Sequence, residues 1–150
     1  YFNFIKSNKQ ENYWSANIDN PKHRSWSGYS FELVCLMHEK QIKKALGIEA
    51  VQANVSSWKS KNDTQNAQID LLFDRRDQII TICEMKYSLN TFTIDKKYAQ
   101  NLRNKISIFK QDSQTKKAVH LAMVTTYGVL ENENYFDLVQ NNITMKSLFS

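Results

Sequence analysis

Asp70 and the tripeptide Glu84-Met85-Lys86 place two carboxylates and an amine on either side of a charged turn, Arg75-Arg76-Asp77. Carboxylate oxygens are hard ligands that suit Mg²⁺ or Mn²⁺. A phosphodiester is hydrolysed by a cation on a nonbridging oxygen, a water made nucleophilic and charge relief at the leaving oxygen. Asp70 and Glu84 could hold the cation, and Lys86 supplies a positive group two residues beyond Glu84.

The elements that carry these side chains read as a β-hairpin, with apolar runs at residues 67–74 and 78–88 flanking the turn. Side chains alternate faces along a strand, and Asp70, Glu84 and Lys86 are all even-numbered. A three-residue loop at 75–77 would pair Asp74 with Gln78 and set Ile82 opposite Asp70, leaving the two carboxylates diagonal on one face. An even loop would separate them, so the site requires an odd one. The opposite parity, Ile69, Leu71, Phe73, Ile79, Thr81, Cys83 and Met85, is mostly apolar, and Leu72, Ile80 and Ile82 add apolar groups to the first face. Both strands are therefore expected to be central and largely buried. A carboxylate at the edge of such an interior is costly unless compensated, and a bound cation is the natural partner. The bare Glu-x-Lys pattern alone is better explained as a surface ion pair. Asp70 on the preceding strand tips the balance toward a metal site.

Around the hairpin, apolar residues at helical spacing predict a helix over 28–47, through Phe31, Val34, Cys35, His38, Ile42, Ala45 and Leu46, with Gly47 as its stop. His38 on that stripe is expected to be a satisfied core histidine. Glu32 sits beside the stripe, where it would complement the helix dipole or reach the pocket of Asp70 and Glu84. A strand is predicted over 50–58, a polar loop over 59–66, and a second helix over 95–110 with Asp95 as N-cap. Tyr98, Ala99, Leu102, Ile106 and Phe109 would face inward on that helix. Its other faces carry Lys96, Lys97, Arg103, Lys105 and Lys110, a solvated face by default and a candidate phosphate-contact surface. Residues 116–126 read as a strand with His120 as a core residue, 135–139 as a short strand and 144–149 as a terminal turn or helix. The order of elements implies an α/β sandwich, a central mixed β-sheet with flanking helices. Residues 1–27, aromatic and polar around Pro21, are expected to form an arm or the stub of a domain connection, and 28–150 the domain itself.

Composition bounds the function. The chain has 150 residues, 41% of them hydrophobic, and a net charge of +5, which is enough for one core and compatible with a polyanionic partner. Its two cysteines lack any zinc-ligand spacing, so we expect buried, reduced thiols in a cytoplasmic protein. No apolar run reaches a membrane span and no signal peptide is visible, so no membrane partner is expected. Glycine occurs only at 28, 47 and 128, which excludes a Walker phosphate loop. No Ser-His-Asp set or Cys-His nucleophile pair stands out. The chain opens on Tyr1, and we expect a piece of a longer polypeptide.

Glu32 in the first helix, Asp70 in the second strand and Glu84-Met85-Lys86 in the third resemble, in order and spacing, the PD-(D/E)XK nuclease superfamily. Four stretches look like one branch of it, the nuclease-like C-terminal domain of archaeal-type AAA+ ATPases. They are Trp26-Ser27-Gly28-Tyr29-Ser30-Phe31-Glu32, Gln41-Ile42-Lys43-Lys44-Ala45-Leu46-Gly47-Ile48, Gln68-Ile69-Asp70-Leu71-Leu72 and Thr125-Thr126-Tyr127-Gly128. Ile69 stands where the superfamily's name has proline. The resemblance implies a restriction-endonuclease-like fold, Asp70 and Glu84 as metal-binding carboxylates, Glu32 as a further ligand or outer acid, and Lys86 activating water or stabilising phosphate charge. It also implies an AAA+ ATPase domain in the same polypeptide. Taken with the chemistry of the residues, the expected cofactor is Mg²⁺ or Mn²⁺ and the expected substrate DNA, with Lys96, Lys97, Arg103 and Lys105 as candidate contacts to it. Two other readings are carried forward: a catalytically silent module that binds nucleic acid or a partner and regulates that ATPase, and a domain whose acidic trio is only structural. Oligomeric state is left open, a homo-oligomer included.

Overall fold

The computed structural model describes residues 21–61 and 67–149; most of the expected arm, residues 62–66 and Ser150 lie outside the described residues. The first helix, α1 (Pro21–Met37), starts earlier than its apolar spacing suggested. Proline is tolerated in a first turn, where its missing N–H would have no intrahelical acceptor. The helix thus runs unbroken through position 28, where the arm was expected to give way to the domain. It also ends sooner. His38 (φ −113°, ψ 34°) leaves helical geometry, its Nδ1 donates to the Val34 carbonyl at 2.8 Å, and the chain resumes as α2 (Glu39–Ala45). The half-buried imidazole is satisfied by that bond and by edge-on packing against Phe149, 5.0 Å between centroids. Gly47 ends α2 as expected: at φ 74° it donates to Lys44 O while Ile48 donates to Lys43 O, the paired bonds of a Schellman cap.

Among the described residues, five strands form one mixed sheet in the order β1-β2-β3-β4-β5. They are β1 (Ala53–Lys59), β2 (Gln68–Arg75), β3 (Ile79–Lys86), β4 (Ala118–Thr125) and β5 (Asn141–Thr144). Neighbours are antiparallel from β1 to β3 and parallel from β3 to β5. Parallel β3 and β4 require a crossover, supplied by α3 (Lys96–Ser113). Asp95 caps α3 as expected, its carboxylate accepting from Tyr98 N at 2.7 Å, and Gln114 closes the helix at φ 54°. The expected strand over 135–139 is instead α4 (Glu133–Leu138), because Asn132 accepts from Tyr135 N and caps a helical turn. The last strand lies later, in the polar edge strand β5, followed by α5 (Met145–Leu148).

Two apolar cores cover the two sheet faces. Phe31, Val34, Cys35, Ile42 and Leu148 pack on Leu71, Phe73, Cys83 and Met85. On the opposite face Ala99, Leu102, Phe109 and Tyr135 pack on Leu72, Ile80, Ile82, Leu121 and Met123. The molecule is therefore an α/β sandwich with α1, α2 and α5 on one face and α3 and α4 on the other. Cys35 and Cys83 are free, buried thiols, and burial pushes Cys35 up to about 12. Among the described residues no helix is long and apolar enough to cross a membrane.

Candidate functional site

The hairpin that carries the acidic residues has an odd connection, residues 76–78 between β2 and β3, with Gln78 at φ 68°. Arg75 clamps it, donating from Nε and Nη2 to the two carboxylate oxygens of Asp77 at 2.9 and 2.5 Å, while Lys117 Nζ reaches Asp74 at 2.5 Å. The register differs from expectation. Asp74 pairs with Ile80 rather than Gln78, which moves Ile82 from Asp70 to Leu72.

A second departure sits at Asp70 itself. Along β1 the partners step from Ser56↔Leu72 to Trp58↔Ile69, so Asp70 and Leu71 together face Ser57 in a β-bulge. Alternation breaks there: Ile69 and Leu72 both join the core under α3, whereas Leu71 joins the core under α1. Asp70, bonded to Gln68 Nε2 at 2.7 Å, lies opposite Ile69 on the strand and so on the α1 side. Glu84 follows Ile80 and Ile82 onto the α3 side. The two carboxylates are therefore not on one face.

They come within electrostatic reach of each other where the sheet forks. The β2–β3 ladder runs from Asp74↔Ile80 to Leu71↔Cys83, beyond which β2 continues beside β1 to Gln68 and β3 beside β4 to Lys86. Asp70 and Glu84 are the first residues of each strand past that fork. Glu32, on α1, feels both charges. The electrostatics show the convergence: burial most of all, then Asp70 and Glu84, raise Glu32 above the usual carboxylate range, while Lys86 and Lys105 pull it down. Glu84 is also raised, chiefly by burial and further by Asp70, against the lowering effect of Lys105 and Lys86.

Lys105 is where sequence reading missed a partner. The apolar spacing puts it on the outward face of α3, yet its ammonium donates to Glu84 Oε1 at 2.6 Å. Tyr98, Leu102, Lys105 and Phe109 recur at the four- and three-residue steps of one helix stripe, and that spacing was the available signal. Lys96, Lys97 and Arg103 are exposed, with Arg103 4.0 Å from Asp137. Lys86 is exposed as well, its ammonium 5.8 and 5.7 Å from the ring centroids of Phe92 and Tyr98, which pack edge-on at 5.1 Å. Burial and the nearby Glu84 raise the Tyr98 phenol. A cleft of about 600 Å³ opens beside this centre, lined by Tyr29 and Glu32 of α1, Met85 and Lys86 of β3 and the loop at 88–90.

Among the described residues no group of three or more His, Cys, Asp or Glu side chains could hold a metal ion by itself. Mg²⁺ does not require one, because it keeps several waters and is commonly held by one or two carboxylates plus substrate phosphate. The donor chemistry of Asp70 and Glu84 fits that pattern. Comparison with known proteins adds no neighbour: no family model, curated protein or solved structure matches the chain.

Proposed function

We propose that the chain is a PD-(D/E)XK nuclease domain with a restriction-endonuclease-like fold, hydrolysing phosphodiesters, in DNA, with Mg²⁺ or Mn²⁺, and attached in its full polypeptide to an AAA+ ATPase. The observation that carries this reading is the sheet fork, where Asp70 and Glu84 converge from two strands with Glu32 from a helix. Asp70 and Glu84 would hold the cation, with Glu32 as a further ligand or outer acid. When bound, the ion supplies charge for the phosphate oxygen and acidifies its water.

The chain's own side chains account for the rest. Lys86, exposed at the cleft, presents its ammonium to a phosphate, and the aromatic pair Phe92 and Tyr98 limits where that ammonium can go. Glu32, raised by burial and by two neighbouring carboxylates, has moved in the direction a carboxylate needs to accept a proton in the cleft. Exposed Lys96, Lys97 and Arg103, within a net charge of +5, offer contacts to flanking phosphates.

One observation favours the silent regulatory module: Glu84 is already engaged by Lys105 at 2.6 Å. Supercoiled, linear and branched DNA incubated with Mg²⁺ or Mn²⁺ separates the two. We expect cleavage by wild type and a loss of about 100-fold or more in Lys86→Ala, the scale of removing one group that stabilises developing charge. The variant should stay folded, since the lost ring contacts contribute only about 0.5–1 kcal/mol. Absence of cleavage by both proteins on every substrate would leave the silent module as the better reading.

A further inference from the structure

Lys105 occupies a place that the chemistry above does not use. Its ammonium is 2.6 Å from Glu84 Oε1, with side-chain exposures of 27% and 14%. Its Cα belongs to the inward stripe of α3, so the root of the side chain is fixed against the sheet. The four-carbon stem above that root is flexible, and an ammonium is a point charge with no fixed fork to break. Glu84 stripped of a positive neighbour would be a largely buried carboxylate near two others, a costly state. Lys105 is the counter-ion bonded to Glu84.

Resting on the metal-dependent reading, we propose that Lys105 is a positioning residue that orders Glu84 in the metal-free protein and is exchanged from it by the incoming divalent cation. The exchange breaks one ammonium–carboxylate hydrogen bond and forms one cation–carboxylate contact. Lys105 keeps its proton, and nothing is oxidised or reduced. Lys86 plays a different part, since its ammonium sits over the rings of Phe92 and Tyr98. Metal affinity is then set by competition within the protein, and Lys105 lowers it.

The test is a Mn²⁺ titration of the whole chain at pH 8 without nucleic acid, with free Mn²⁺ followed by electron paramagnetic resonance and folding checked by circular dichroism. Removing a unit charge a few ångströms from the ion should tighten binding by about tenfold in Lys105→Met. Lys105→Arg, whose bidentate fork holds the Glu84 carboxylate more firmly, should bind more weakly than wild type, and Glu84→Gln should lose binding. Should Lys105→Met not fold, Lys105→Gln replaces it with the same expectation. Equal or weaker binding by the folded neutral variant, Lys105→Met or Lys105→Gln, alongside loss in Glu84→Gln, would overturn the exchange and leave the metal site standing. Binding by no protein, wild type included, would overturn the exchange together with the metal reading.

Discussion

Three carboxylates and two lysines gathered at one fork carry an energetic cost that the fold bears at neutral pH. Glu32 shows it in isolation, because it has no ion pair as close as that of Glu84 with Lys105 among those described. Its pKa is raised above 4.5 by burial, Asp70 and Glu84. A raised acid binds its proton more tightly in the folded chain than in the unfolded one. The resulting contribution to stability is complete below pH 4.5 and is lost as pH rises through the raised value. Glu32→Gln should therefore raise the melting temperature at pH 7 by about 1–3 °C, a modest gain because the side chain is partly solvated. Melts across pH should show the gain vanishing below pH 4.5; a gain that persisted there would assign it to packing instead. The identities of Asp70, Glu84 and Glu32 were legible from residue type and order. The role of Lys105 was not, because a lysine on a mixed helix stripe declares its partner only when the opposing strand is placed.

At the level of elements, the hairpin and its odd connection were legible from two apolar runs and a charged turn. Its register was not, since ladder pairing depends on turn geometry and the connection sits one residue later than expected, at 76–78 with Gln78 at φ 68°. The bulge at Asp70 was equally silent: its extra residue is defined by β1, whose own sequence alternates weakly. Gln78→Gly removes the cost of positive φ and should stabilise the domain by about 0.5–1 kcal/mol in urea unfolding, whereas Asp95→Ala, which removes the α3 cap, should cost about 1 kcal/mol. Unchanged stability in Gln78→Gly would mean that Gln78 side-chain contacts offset the strain. The strand expected over 135–139 failed for a local reason, the Asn132 cap outweighing an apolar run too short to distinguish strand from helix. Its counterpart β5, Asn-Asn-Ile-Thr, is an edge strand with only Ile143 buried, so it offers almost no apolar signal.

For the whole molecule, the α/β class followed from the order of elements, while the strand order and the fork required long-range pairing that no local pattern encodes. The exposed basic residues of α3 lie on the sandwich's outer surface, apart from the Lys105 stripe. If they meet phosphates, replacing Lys96, Lys97 and Arg103 by alanine should lower the slope of log binding constant against log salt by roughly 2–3 on duplex DNA. An unchanged slope would place the DNA surface elsewhere. The proposed nuclease chemistry requires the fork of β2 and β3, beside α1, to be a cation site. Anomalous diffraction from crystals of the chain grown with Mn²⁺ tests it most directly. A cation site gives a peak in contact with both Asp70 and Glu84, with the Lys105 ammonium withdrawn from Oε1. Saturating Mn²⁺ that left no peak at the fork, and Glu84 still bonded to Lys105, would contradict it.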